Sequence, residues 1–180
     1  TLGLLTLVGA SLWQTAALAD DGGKNPAIRS PGEATFDKTN AQWSEAWWQW
    51  CFSLHTANHP LFDTGDCSVG QSGKVWFLGG SFASSDPVVR NCTIPKGTYL
   101  FFPILNFWAD NTGCPNTSFS IAELWSFANG AMDSATEMSC TIDGVAVTGL
   151  ADALSSPYRV QTPSPNGFSY TLPSTDNILT

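Results

Sequence analysis

Positive charge is scarce in this chain. Lys and Arg number 7 against 15 Asp and Glu in 180 residues, and the formal net charge is −8. Binding to nucleic acid needs clustered Lys and Arg to neutralise phosphates, so that partner class is excluded. Docking to an anionic lipid surface is disfavoured on the same ground. Histidine is rarer still, with two residues, and no His-Glu-x-x-His pair occurs. Cys-x-x-Cys, the common spacing of structural zinc sites, is missing as well. So is Gly-x-Ser-x-Gly, the strand-to-helix turn that exposes a hydrolase serine. Charged residues of both signs make up only 12%, hydrophobic residues 43%, and Gly and Pro number 16 and 11. This composition points to a turn-rich, β-heavy exported protein rather than a helical cytosolic one. The length suffices for one domain with a real core.

Residues Leu2 to Leu18 form an apolar run ending at Ala17-Leu18-Ala19, a small-x-small cleavage pattern, with Asp20 and Asp21 behind it. This reads as residues 1–19 of a secretory signal peptide that has lost its starting Met and basic flank. With the leader cleaved, no stable membrane span is expected, and the protein is secreted or periplasmic. Residues 20–35 read as a flexible leader rich in Gly and Pro, and residues 36–180 as a single domain. The chain stops directly after a strand-like stretch, so it is expected to continue beyond Thr180. An exposed apolar patch beside an unpaired strand is then expected near that end.

Export allows disulfides, and five cysteines suggest two bridges and one leftover thiol. Cys51, flanked by Trp50 and Phe52, reads as the buried free thiol. Cys67, Cys92, Cys114 and Cys140 permit three pairings. Cys67–Cys92 with Cys114–Cys140 is preferred, since each closes a local loop around predicted strands.

Four of the eight tryptophans lie in Trp43-Ser-Glu-Ala-Trp47-Trp48-Gln-Trp50. The spacing predicts a helix over about Thr39 to Thr56, with Trp43, Trp47, Trp50, Cys51 and Leu54 on its buried face. Strands are predicted at Val75–Phe82, Val88–Ile94, Tyr99–Phe107, Tyr158–Gln161 and Phe168–Leu172. Pro95-Lys96-Gly97 marks a turn, and Asp143-Gly144 a two-residue hairpin between Ser139–Ile142 and Val145–Thr148. A second helix is predicted over Ser118 to Met138, with Ser120 and Glu123 as a capping box. The fold class expected is α+β, mainly β: an antiparallel β-sandwich of jelly-roll kind, carrying two helices and stapled by disulfides.

Three segments carry a resemblance. They are Trp43 to Trp50, the run Asn58-His59-Pro60-Leu61-Phe62-Asp63-Thr64-Gly65 continuing through Asp66-Cys67 to Gly80, and Cys92-Thr93-Ile94-Pro95-Lys96-Gly97 through Asn106. Together with Ile142-Asp143-Gly144-Val145 and Tyr158-Arg159-Val160, they resemble an uncharacterised family of exported bacterial and archaeal proteins, usually labelled only as signal-peptide proteins. The resemblance covers most of the mature chain. It implies an exported domain and further sequence beyond Thr180, and it supplies no activity and no catalytic residue.

Chemistry is sparse in what remains. His55 and His59 lie four apart near a helix end with Asp63 downstream, a set that could ligate Zn or Cu if the helix persisted. Pro60 argues for unwinding there, and capping or packing is the plainer role. His59, Asp66 and Ser72 would crowd one loop, unlike a triad assembled from separate elements. Glu45, Asp110 and Glu123 read as solvated or capping carboxylates rather than a glycosidase pair. Trp48, Trp76 and Trp108 are the candidate stacking residues for a sugar, with Trp48 the most exposed because it falls off the main apolar face. The leading expectation is a non-enzymatic extracellular or periplasmic module binding a small molecule, glycan or protein partner, with no cofactor. A metal-dependent enzyme using His55 and His59, and a structural envelope or matrix component, are the alternatives.

Overall fold

The computed structural model describes residues 3–6 as backbone, and residues 28–62, 66–81, 88–112, 116–160 and 172 in full. Most of the signal-peptide and leader segments therefore lies outside the described residues. So do Asp63, Cys114 and nearly all of the region expected to carry the C-terminal apolar patch.

Helix α1, Asn40–Ser53, organises the interior. Thr39 caps it: its hydroxyl accepts from the Gln42 N–H at 3.3 Å, while the Gln42 side chain accepts from the Thr39 N–H at 2.9 Å. This reciprocal box satisfies two amides that the first helical turn leaves without partners. The helix stops at Leu54, whose backbone is extended, a turn earlier than the tryptophan spacing predicts. Two 3₁₀ turns follow, Thr56–Asn58 and Pro60–Phe62. Pro60 at the head of the second has no N–H to donate to a residue four back, so a helix cannot resume through it.

The core is the C-terminal half of α1. Trp47, Trp48, Trp50, Cys51, Phe52 and Leu54 are buried with Leu61, and Val69, Phe77, Phe101, Trp108 and Leu172 pack against them. Each fully buried large side chain contributes on the order of 2–3 kcal/mol. Two of the buried indoles also find acceptors: Trp47 donates to the Leu78 carbonyl at 2.9 Å and Trp50 to the Val69 carbonyl at 3.2 Å. Such contacts need loop backbone close to the helix. Gly70, at φ +68°, provides it, since a Cβ there would stand 2.6 Å from Leu54 Cδ2. Gln71 locks the same loop to the following strand. Its amide nitrogen donates to the Cys67 and Phe77 carbonyls, and its oxygen accepts from the Phe77 N–H.

The expected antiparallel sandwich is not formed. Strands are short and pair only in twos among the described residues. Strand β1, Gly3–Thr6, pairs antiparallel with β4, Leu105–Trp108. Strand β2, Val75–Phe77, pairs in parallel with β3, Tyr99–Phe101. Strands β5, Thr141–Ile142, and β6, Val145–Ala146, form the hairpin at Asp143-Gly144. The result is a small α+β domain with more helix than strand. Two local causes are visible. The predicted strand Tyr99–Phe107 breaks around Pro103, which has no N–H for a ladder, and its halves join different sheets. Val88–Ile94 forms no strand and is instead bridged through Cys92. Residues 158–160 likewise form no strand.

Helix α2, Ile121–Asp133, follows the predicted capping box, with the Glu123 carboxylate accepting from the Ser120 N–H at 2.8 Å. Arg159 ties the tail segment to it, donating to Asn129 at 3.1 Å and pairing with Asp133 at 2.5 Å.

Cys67 and Cys92 form a disulfide with Cα atoms 5.6 Å apart. Cys51 is a free, buried thiol. Cys140 is also a free thiol. It stands beside β5, where its carbonyl accepts from the Val147 N–H at 2.9 Å, and its expected partner Cys114 lies outside the described residues.

Candidate functional site

The residues that sequence spacing offers for binding are mostly interior. Trp48, expected to be exposed, is 7% exposed. It stacks on Phe52 at 5.2 Å and 19°, and meets Trp108 at 5.1 Å. A one-sided helix would leave it outside, but α1 is enclosed on nearly every side. Trp76 is 8% exposed, and its ring N–H has no partner among the described residues. Trp108 is half-buried and donates to the Asp110 carboxylate. None of the three offers an open ring face of the kind a sugar stacks upon.

His55 and His59 share no helical face. His55 is exposed at the start of a 3₁₀ turn, whereas His59 is fully buried. Among the described residues, no three His, Cys, Asp or Glu side chains gather as a metal site would require. His59 Nε2 lies 3.8 Å from Cys51 Sγ, which looks like a thiol–imidazole pair. The hydrogen bonds rule out a working one in this state. Nδ1 accepts from the Leu61 N–H at 3.2 Å, so the ring proton sits on Nε2 and is donated to the Cys51 carbonyl at 2.8 Å. No lone pair faces the thiol, and burial pushes the Cys51 thiol well above its ordinary range. The pair is packing, with the imidazole bracing the chain that leaves α1.

An exposed face lies at the other end of α1, built by residues that sequence spacing does not single out. Thr35 and Lys38 exchange two backbone bonds, of 2.9 and 3.1 Å, closing a two-residue turn. Its tip is Phe36-Asp37, at φ 49° and 61°. That region normally takes Gly or Asn, and a bulky L-residue there costs on the order of 1–2 kcal/mol. The turn is held from below. Trp43 donates its ring N–H to the Thr35 carbonyl at 2.9 Å, and Thr39 opens α1 directly after the turn.

The strained turn presents Phe36 edge-on to Tyr99, with centroids 5.1 Å apart and rings at 89°. Both rings are 40% exposed. A cation lies over each. Arg29 lies 5.3 Å over the Tyr99 ring and donates to its hydroxyl at 2.9 Å, while also pairing with Glu33 at 2.8 Å. Lys74 lies 5.3 Å over Phe36, and Lys38 4.8 Å over Trp43. Both lysines are exposed, and neither has a carboxylate partner among the described residues. Phe36 stays half outside, so only its contacts with Tyr99 and Lys74 offset the backbone strain, and such strain concentrates at binding sites. The sequence carried one faint signal, Lys38 two residues from Phe36. Nothing local brings positions 29, 36, 74 and 99 together.

No protein-family model, curated protein or solved structure matches the chain.

Proposed function

We propose that this chain is an exported, non-enzymatic module that binds a saccharide through the face formed by Arg29, Phe36, Lys38, Lys74 and Tyr99. The signal-peptide pattern supports export. One observation carries the binding reading: two exposed aromatic rings are held in fixed geometry by a strained turn, ringed by hydrogen-bonding side chains. Sugars present apolar C–H faces bounded by hydroxyls, and rings with adjacent donors and acceptors suit that mixture. Arg29 and Lys74 supply donors, and Glu33 and Asp37 supply acceptors.

The test is a soluble oligosaccharide panel followed by saturation-transfer NMR on the protein. Transfer from protein to sugar protons is expected for at least one class. Phe36→Asn removes the ring while leaving a residue that tolerates the left-handed turn, so it should keep the fold and lose the transfer. Absence of any saccharide contact, or transfer unchanged in Phe36→Asn, would defeat the proposal.

A further inference from the structure

We infer that the ligand of this face is an anionic saccharide, an oligosaccharide containing hexuronate rings. The inference rests on the saccharide-binding reading above and adds the charge of the ligand. It starts from where a cation-poor chain places its cations. Only 7 of 180 residues are Lys or Arg and the net charge is −8, yet Arg29 and Lys74 lie over the two rings of one aromatic pair, and Lys38 lies over Trp43, which is hydrogen-bonded to the turn that carries Phe36. Elsewhere Arg159 is already neutralised by Asp133.

The three cations differ in what they have left to offer. Arg29 is engaged by Glu33 and by the Tyr99 hydroxyl. Among the described residues, Lys38 and Lys74 are held only by aromatic rings, at 4.8 and 5.3 Å. A cation–π contact restrains an ammonium group without consuming its charge or its N–H donors. Each lysine is therefore placed in advance, which lowers the ordering cost of meeting a carboxylate. A chain with excess acid gains nothing in solubility from gathering its few positive charges.

The neighbours set the density of negative charge that fits. Glu33 pairs with Arg29, Asp37 follows Phe36 at the turn tip, and the whole molecule is acidic. A polyphosphate or nucleic acid would meet repulsion that two free ammonium groups do not overcome. A hexuronate carries one carboxylate per ring, an apolar C–H face for Phe36 and Tyr99, and hydroxyls that can donate to Glu33 and Asp37. That combination matches the groups present.

Isothermal titration of the full chain with oligogalacturonate, against a neutral oligoglucan of equal length, tests the inference. We expect the uronate to bind at least about tenfold more tightly at low salt, with the advantage shrinking as salt screens the pair. The double variant K38Q/K74Q should lose that advantage with an unchanged melting temperature. Equal affinity for the two sugars, or an advantage that survives in K38Q/K74Q, would overturn the inference and leave the saccharide reading standing. Binding of neither sugar would overturn the inference, and absence of contact across the whole oligosaccharide panel would overturn the saccharide reading as well.

Discussion

At the scale of single residues, His59 carries the most consequence. It is neutral, fully buried and bonded at both ring nitrogens. Protonating Nδ1 would break the bond from Leu61 and place a charge against Phe62, Cys51 and the end of α1. Burial accordingly lowers the His59 pKa, and the bond to the Cys51 carbonyl opposes this only in part. The unfolded chain then binds a proton more readily than the folded one. Stability from this group is complete above about pH 6.5 and falls as pH drops below that value towards the lowered folded pKa. Urea denaturation between about pH 7 and pH 5 should show this decline, and His59→Gln should flatten it. An equal slope in the variant would mean that other groups are responsible. Trp48 gives the opposite lesson at the same scale. Its helical position was legible and its burial was not. Helical spacing shows one apolar face, whereas the other faces of this helix are covered by Trp108 and the loop carrying Val69.

At the scale of elements, the features that could be read in advance are those fixed by near neighbours. Ser120 and Glu123 do form the box that starts α2, and Asp143-Gly144 does close its hairpin, with φ 50° and 81°. Elements decided by distant partners were not legible. The parallel pairing of β2 with β3 depends on a long connection, and the split around Pro103 depends on which sheet each half can reach. The Phe36-Asp37 turn was hidden for another reason: its residues are poor ones for its geometry, so composition argues against it. Helix α1 offers a direct test of what it anchors. Trp47 is 1% exposed and donates to Leu78, next to β2. Trp47→Ala should cost on the order of 3–5 kcal/mol, through a cavity and an orphaned carbonyl. Trp47→Phe keeps most of the volume and should cost distinctly less. Equilibrium unfolding of the two variants separates packing from the hydrogen bond, and a wild-type curve for Trp47→Ala would refute the anchoring role.

At the scale of the whole molecule, no continuous sheet holds the described parts together. Two of the three two-stranded ribbons set Phe77, Phe101 and Trp108 against one tryptophan-rich helix, and the Cys67–Cys92 bridge ties the loop that covers this helix to the segment before β3. Cooperativity must therefore run through α1. Cys51 sits at that centre with no exposed surface, whereas Cys140 is only partly covered at the rim of the β5–β6 hairpin. These two thiols turn the protein into its own stopwatch. An alkylating reagent reaches Cys140 through local breathing, but reaches Cys51 only when the tryptophan cluster comes apart. Under native conditions, mass spectrometry should find Cys140 tagged early and Cys51 tagged at a rate that climbs with urea as steeply as global unfolding does. Simultaneous tagging would show that the centre opens as readily as the rim. The delay between the two tags then reads out, in minutes or hours, how long this fold keeps its interior shut.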